Sequence, residues 1–478
     1  MRFRSISTSP WFYFVLVGIA QFMVVLDISI TNVALPTIQK QLHFSIASLQ
    51  WIVTAYALTF GGFLLLGGRT ADLFGRRKTL LFGISAFTIA SFFVGISKSA
   101  NLLILLRALQ GLSAAFMSPS ALSIIIVTFK DGAARNRALA YWTLIASGGA
   151  AVGLLLGGVL TQYFSWRWNF FINVPVGIVI ASAIYNIIPR DTIEDLPKHL
   201  DMLGAVLITA ALMLQVLVFS EGTQWGWISL KTGSIFGLSL LLLLLFLINE
   251  SKSKHPIMPL SFLKIRNVVG ANAMMAPMYG TMLGMFFLTT LYVQNSMKFS
   301  PSITGLSFLP FPLILAFMST RIPNLVSKWG FRRFLIIGPL ITGIAVLYLS
   351  TLPIRGDYFI NLLPTFILMP IGVGMTFMPI FAAATSGVPS HEAGLASGLI
   401  NTSQQMGGSL GLAILSSVAS AVTMGAMRTH AAGAQVLGFD RAYLAASGLM
   451  TIAAIIAATV IKQAPRSDIQ NSETIVAV

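Results

Sequence analysis

Long apolar stretches recur along the whole chain and limit what it can fold into. Each is about 20 residues long, which is the length of a helix that crosses the hydrocarbon core of a bilayer. The stretches are hydrophobic throughout and do not alternate between polar and apolar residues, so they predict spanning helices rather than barrel strands. Only 9% of the 478 residues are charged, against about 25% in soluble proteins. A soluble globular protein is therefore excluded.

We count fourteen such stretches, and short loops and tails between them leave no room for a soluble domain. Their approximate limits are 11–35, 46–68, 79–97, 101–126, 138–163, 168–188, 202–220, 232–249, 268–293, 302–323, 334–353, 359–383, 395–423 and 440–461. We expect the first stretch to be retained as a span, because it contains Asp27 and lacks the small-residue cleavage site of a signal peptide.

The basic residues are distributed unevenly between the two sides of the predicted membrane protein. Of 30 Lys and Arg residues, 21 fall in one set of alternate loops and tails, 8 fall in the other set, and Arg107 lies within a span. Because basic residues accumulate in cytoplasmic loops, we expect a multi-pass protein of the inner membrane with both termini in the cytoplasm. The net charge of +16 is then a determinant of topology, and it requires no nucleic acid partner.

A weak internal repeat suggests that the chain is duplicated. Gly75-Arg76-Arg77 follows the second span, and Gly330-Phe331-Arg332-Arg333 follows the tenth, although Ser327 replaces the acid that the first copy has at Asp72. The pattern predicts an all-α integral membrane fold of two six-helix bundles with a two-helix insert. The expected parts are 1–190, 191–266 and 267–478, and duplicated halves are typical of secondary transporters.

One acid is placed where an acid is costly. Among fourteen Asp and Glu residues only Asp27 lies well inside a hydrophobic stretch, and a charge there is a functional candidate because burial in lipid costs several kcal/mol. Helix geometry puts Asp27 and Arg107 in the same half of the membrane. A proton-coupling pair and a purely structural ion pair both fit this arrangement.

The loop after the second span combines glycine, acid and base. It reads Gly68-Arg69-Thr70-Ala71-Asp72-Leu73-Phe74-Gly75-Arg76-Arg77-Lys78. We interpret it as a conformational latch in which Asp72 caps a helix or pairs with Arg135 or Arg137. The alternative is a basic turn that only sets topology.

Glycines at helical spacing mark the fifth span. Gly149, Gly153 and Gly157, with Gly158 beside them, form a smooth ridge against which another helix can pack. Structural packing and a gating role explain this ridge equally well.

Polar and flexible residues inside spans are candidates for a substrate cavity, since methionine adapts to varied ligands. Core packing or hydrogen bonding between helices is the competing interpretation. The candidates are Asn32, Gln110, Met274, Met278, Tyr279, Met282, Met285, Asn401 and Gln405.

Motifs for catalysis are missing from the sequence. It contains no Gly-x-x-x-x-Gly-Lys-Ser/Thr loop, no His-Glu-x-x-His motif and no cysteine. We therefore expect no enzyme activity, no metal and no cofactor. An ion gradient, a substrate gradient or a partner must supply the energy.

Four segments carry a resemblance to a known family. The loop Gly68 to Lys78 resembles the loop motif of the major facilitator superfamily, and Leu26 to Pro36 is similar to the first-helix motif of its fourteen-span drug:proton antiporters. Arg107 to Gly111 is similar to the fourth-helix motif, and Trp166 to Pro175 to the start of the sixth helix.

This resemblance implies alternating access and export of small amphipathic compounds in exchange for protons, by a chain that we expect to be monomeric. It implies that Asp27 and Arg107 handle the proton and that Asp72 stabilises the outward-open form. The fifth helix departs from the family pattern, because Gly153-Leu154 stands where Gly-Pro is expected. An uptake symporter or facilitator on the same fold, and a non-transporting sensor or scaffold, are the competing hypotheses.

Overall fold

The computed structural model describes residues 9–129, 133–189, 201–253, 256–258, 260–389, 392–430 and 433–463. Within these ranges the regular structure is helical, with no β-strand. The described part of the chain contains fourteen long helices: α1 Pro10–Leu42, α2 Ile46–Phe74, α3 Arg76–Ile96, α4 Ala100–Thr128, α5 Ala133–Tyr163, α6 Trp168–Ile187, α7 Met202–Trp225, α8 Leu230–Lys252, α9 Arg266–Asn295, α10 Pro301–Trp329, α11 Phe331–Leu349, α12 Tyr358–Thr385, α13 Ala393–Arg428 and α14 Ala434–Thr459.

The predicted number of spans agrees with these helices. Thirteen of them are long and apolar enough to cross a membrane when the described residues are searched, and α5, with 31 residues, is the fourteenth. Several are longer than the apolar stretches that predicted them; α1, for example, continues past Leu35 to Leu42. The fold is the predicted one of two six-helix bundles and two additional helices.

The outer surface of the assembly is apolar. Leu241 and Leu244 on α8 are 49% and 54% exposed, and Ile178 on α6 and Ile344 on α11 are about as open. Exposure of such a surface to water would be unfavourable, and soluble proteins rarely have large contiguous apolar patches. Lipid is the solvent that fits it.

The two additional helices lie beside both bundles. Helix α7 packs against α2 of the first bundle and α13 of the second, whereas α8 packs on α7 and faces outward. A Cβ on Gly62 of α2 would lie 1.9 Å from the Thr209 hydroxyl of α7, so these two backbones approach closely.

The two bundles are joined mainly at one end. We call the end at which α1 begins the terminal face, and the end at which it finishes the opposite face. At the opposite face Gln294 donates to the Val33 carbonyl at 2.8 Å, and Gln162 accepts from the Ser302 backbone at 3.1 Å. A hydrophobic core shared by both bundles lies at this end. Toward the terminal face each bundle has a separate core, so the interface is closed at the opposite face.

The sequence repeat corresponds to a repeated turn. Gly75 connects α2 to α3 with a φ of +99°, and Gly330 connects α10 to α11 with a φ of +77°. Both angles lie in the region that favours glycine. The two halves therefore make the same turn in the same place.

The glycine ridge of α5 packs against α1. A Cβ on Gly153 would lie 2.7 Å from the Ser29 Cβ, and one on Gly157 would lie 2.8 Å from the Ile30 carbonyl oxygen. Gly158 faces the other bundle, where a Cβ would lie 2.6 Å from the Pro301 carbonyl oxygen. The equivalent helices of the second half, α13 and α9, meet through Gly411 and Gly280 in the same way.

We expect Gly157→Ala to destabilise the protein, because the added methyl group meets backbone atoms of α1 that cannot rotate away. Overpacking of this kind costs about 1–3 kcal/mol. The control is Gly148→Ala on the same helix, where an added Cβ meets nothing within 4 Å and alanine favours the helix. Thermal unfolding of the purified variants measures both effects. Equal melting temperatures for the two variants would contradict close packing of α5 on α1.

Candidate functional site

Asp27 lies fully buried near the middle of α1. It is 0% exposed, and it forms an ion pair with Arg107 of α4, which is 1% exposed. The two residues are 80 positions apart in the chain, so the pair exists only because α1 and α4 pack together. The structure therefore brings Asp27 and Arg107 together as an ion pair, and the role of this pair in proton coupling stays a prediction.

Two amides complete the hydrogen bonding of the Asp27 carboxylate. Gln110, one turn after Arg107 on α4, donates to Asp27 Oδ1 at 3.2 Å, and Asn173 of α6 donates to the same oxygen at 3.1 Å. Gln110 also donates to the Ser91 hydroxyl of α3 at 2.8 Å. Helices α1, α3, α4 and α6 therefore meet at one carboxylate.

Arg107 has contacts that do not depend on Asp27. Its Nε donates to the Ile52 carbonyl of α2 at 2.9 Å, and its Nη1 donates to Gln110 Oε1 at 2.9 Å. The guanidinium carbon lies 4.5 Å from the centre of the Tyr56 ring and 5.7 Å from that of Phe170, within range of cation–π attraction. Arg107 is therefore held in position from three sides.

This arrangement can accommodate two protonation states of Asp27. With the carboxylate ionised, the buried charges of Asp27 and Arg107 compensate each other. With it protonated, Arg107 keeps its contacts to the Ile52 carbonyl, Gln110 and the two aromatic rings. Arg107 therefore has hydrogen-bond and aromatic partners whether Asp27 is ionised or protonated.

Sequence reasoning missed three members of this site: Asn173, Ser91 and Tyr56. The Tyr56 hydroxyl is buried and meets no hydrogen-bond partner in the described part of the chain. Asn173 belongs to the segment that carried the resemblance at the sixth helix, and it is a polar residue inside an apolar stretch. That signal could have identified it, but its partner could not be read from spacing.

The residues of the expected latch lie at the terminal face. Asp72 forms an ion pair with Arg76 at 3.6 Å, and Arg76 donates to the Ser123 hydroxyl at 2.6 Å. Arg77 is 9% exposed and donates to the Tyr185 carbonyl of α6. This loop therefore contacts α4 and α6 of its own bundle.

The remaining residues of the expected latch are Gly68, Arg135 and Arg137. Asp72 does not pair with Arg135 or Arg137 within the described residues, and Arg137 is exposed. Gly68 lies beside Pro119, at 3.6 Å from where its Cβ would be, whereas a Cβ on its neighbour Gly67 would lie 2.0 Å from the Ala115 carbonyl oxygen. Gly67 is the position at which α2 and α4 approach most closely in this loop region.

The methionine stripe of α9 belongs mostly to the core. Met274, Met278 and Met285 are at most 1% exposed, and Met282 is partly buried. These side chains pack inside the second bundle and against its neighbours. In this conformation Met274, Met278 and Met285 act as core packing residues, which is the interpretation that competes with a substrate cavity.

Some of the polar cavity candidates bond within their own helix, and one lies near the contact between the bundles. Asn401 donates to the Ser397 carbonyl one turn earlier, and Asn32 donates to Ile28. Tyr279 is 8% exposed and lies beside Gln404, and Gln405 packs against Gly61 of α2 at the interface between the bundles. Gln405 is therefore a candidate that lies at the contact between the two bundles.

No group of three or more His, Cys, Asp or Glu side chains suited to a metal ion occurs among the described residues.

The sequence matches a known protein family along most of its length. The family model of the Major Facilitator Superfamily matches residues 17–412. The puromycin resistance protein of Streptomyces alboniger is 36% identical over 458 residues, which are 94% of this chain and 90% of that protein. The cephamycin export protein of Amycolatopsis lactamdurans is 36% identical over 86% of this chain and 85% of its own.

Solved structures agree in fold at low sequence identity. A bacterial homolog of the human lysosomal transporter Spinster, in an inward-facing and unoccupied conformation, matches with a TM-score of 0.69 and 16% identity over 94% of this chain and 96% of that one. The POT family transporter PepTSo matches with a TM-score of 0.68 and 16% identity over 94% and 99%. Family model, relatives and fold agree that the chain belongs to the Major Facilitator Superfamily of membrane transporters, among its drug resistance and export proteins.

Proposed function

We propose that this protein exports small amphipathic molecules across the inner membrane in exchange for protons, as a monomer and by alternating access. The observation that carries the proposal is the buried Asp27–Arg107 pair with its amide partners. The relatives that resemble the chain along nearly its whole length are named as resistance and export proteins, which favours export over uptake.

The proposed orientation puts the terminal face in the cytoplasm. Basic residues support it, because the loops on the side of the termini carry 21 of the 30 Lys and Arg residues. With that orientation the described conformation is closed toward the outside of the cell. Substrate would enter between the bundles from the cytoplasm and leave when the closed end opens.

We assign the moving parts to three segments. Residues 1–190 and 267–478 would form the two rocking bundles, and 191–266 the insert. The glycine ridges of α5 and α13 support such a motion, since smooth helix surfaces permit sliding without interlocked side chains. Packing and gating are then two roles of the same residues.

Proton exchange at Asp27 would couple the two fluxes. A carboxyl group beside an arginine in a low-dielectric site responds strongly to changes in hydration and in distance from that arginine. Rocking of the bundles would alter both and so favour proton binding from one side and release to the other. Because Asp27 is the only acid well inside a predicted apolar stretch, a second positive charge would find no acid at that depth, and neutral and monocationic substrates fit better than dicationic ones.

Asp27→Asn is predicted to abolish uphill export while the protein still inserts, because the amide cannot bind and release a proton. Export into an opposing substrate gradient should fall to the level of empty vesicles in proteoliposomes with an imposed pH gradient. Size-exclusion chromatography checks folding, since the neutral amide leaves the Arg107 charge uncompensated.

Glu221→Gln is the matched control for this variant. It also removes one acid from a helix, in α7, outside the buried network, and it should transport at the wild-type rate. Uphill export at the wild-type rate by Asp27→Asn would overturn the role of Asp27, and substrate flux only toward the inside would overturn export.

Arg107→Lys is expected to restore part of the activity that Arg107→Ala loses. A lysine supplies the charge from a single nitrogen, so it cannot reproduce the planar fork with which the guanidinium reaches Ile52, Gln110 and Asp27. Arg167→Lys, at the opposite face, is the matched control. If the pair acts as a unit, transport losses of Asp27→Asn and Arg107→Ala should be non-additive in a double-mutant cycle. Additive losses would separate the two residues.

Asp72→Asn is predicted to slow turnover more than it weakens substrate binding, because a latch shifts conformations without touching the ligand. Lys78→Gln removes a charge from the same loop and serves as the control. Spectroscopic distances across the terminal face should show a changed population in Asp72→Asn alone. An unchanged distribution with unchanged turnover would reduce this loop to a topology signal.

A further inference from the structure

Two buried acids meet where the insert helices reach the terminal face. Asp201 is the N-cap of α7 and is 8% exposed, and Glu250 lies in the last turn of α8 and is 3% exposed. Neither belongs to an ion pair within the described part of the chain. They are close because α7 and α8 form a hairpin whose free ends lie side by side.

Asp201 has a full set of hydrogen-bond donors. Its Oδ1 accepts from the Gly204 backbone at 2.8 Å, as expected for a helix cap. The side-chain amide of Asn249 donates to both carboxylate oxygens at 2.9 Å. Both carboxylate oxygens of Asp201 therefore accept hydrogen bonds within the described part of the chain.

Glu250 has donors on one oxygen only. Its Oε2 accepts from the Met258 backbone at 2.9 Å. Its Oε1 is buried and meets no donor among the residues that the structure describes. A Cβ on Gly204 would lie 2.7 Å from Asp201 Oδ2 and 2.9 Å from Glu250 Oε1, so these two carboxyl oxygens lie on the same side of this glycine and close to each other.

Two facing carboxylate oxygens attract each other only when a proton lies between them. Buried like charges at this separation repel strongly, and an unpaired buried charge is costly. A shared proton removes one charge and gives Glu250 Oε1 a hydrogen bond. We propose that Asp201 and Glu250, oriented by Asn249, form a proton-binding site separate from Asp27.

The other charged groups around this site are few. On α8, Lys252 is exposed, and on α2, Arg69 lies near Asp72. Lys198, His199, Lys254 and His255 lie outside the described residues. Within the described part, the polar groups that act on the Glu250 carboxyl group are Asp201 and the backbone amides of Ile257 and Met258.

The proton would hold a connecting segment in place. Residues 256–258 lead from the insert toward α9, and Ile257 packs with Leu66 of α2 and Ala205 of α7. The contact from Met258 to Glu250 fixes this segment to α8. Loss of the shared proton would push the two acids apart and loosen the connection between the insert and the second bundle.

Infrared spectroscopy of the purified full chain tests the proton directly. The wild type should show a protonated carboxyl band that disappears as the pH is raised, and Asp27→Asn should retain it. Glu250→Gln and Asp201→Asn should both lack it, and Glu221→Gln should keep it. A spectrum unchanged in both Glu250→Gln and Asp201→Asn would overturn the site.

Thermal unfolding between about pH 5 and about pH 9 supplies a second measurement. The shared proton stabilises the folded state at low pH, and this stabilisation is lost as the pH rises, so the wild-type melting temperature should fall by about 2 °C or more relative to Glu250→Gln. The Glu250→Gln substitution places an amide donor where the proton lies and should make the melting temperature less dependent on pH. Parallel pH profiles of the two proteins would contradict the proposal.

A bridging cation is the other species that could join two carboxylates. If Na⁺ or Ca²⁺ raised the melting temperature of the wild type but not of Glu250→Gln, and no protonated carboxyl band were present, the site would bind a cation and the proton would be excluded. None of these measurements depends on transport. They can therefore fail while the proposed export holds, and the reverse is also true.

Discussion

A bilayer core offers no hydrogen-bond partner to a backbone amide or to a charged side chain, and the rest of the structure depends on this constraint. In the described residues, fourteen long helices satisfy the hydrogen-bonding groups of the backbone internally. The charge of Asp27 is compensated by Arg107 and two amides from neighbouring helices. A polar group at this depth can exist only where several helices converge, so the Asp27 site also determines how α1, α4 and α6 must pack.

Close helix packing is achieved by glycine in both halves of the molecule. Gly153 and Gly157 allow α1 to pack closely against α5, and Gly280 and Gly411 allow the same close packing of α9 and α13. Lipid provides little hydrophobic drive between helices, so short approach distances must supply the attraction. The bundles share a hydrophobic core at the opposite face and have separate cores toward the terminal face, so the two ends of their interface differ. Such an asymmetry is what alternating access between two bundles requires.

The two acidic sites show different ways to bury a carboxyl group. Asp27 has an arginine as partner, whereas Asp201 and Glu250 have each other and a set of amide donors. An arginine compensates a carboxylate at any pH at which the protein is folded. Two facing carboxyl groups need a proton, so their stability depends on pH. A transporter whose insert contacts both bundles through α7 would thereby have a pH-sensitive element at the terminal face.

The sequence by itself determined the helical class, the fourteen spans and the duplicated halves. The length of each apolar stretch and the positions of glycine in the turns are local properties of the chain. The sequence also identified Asp27 and Arg107, since a charge in an apolar stretch is conspicuous. Only the tertiary structure decided which side chains surround them: Asn173 lies 146 residues from Asp27. Only the tertiary structure showed that Met274, Met278 and Met285 are buried in the core. It also showed that Asp201 and Glu250 lie close together at two helix ends. Those outcomes depend on which helix faces pack together, and helical periodicity does not specify the partner of a face.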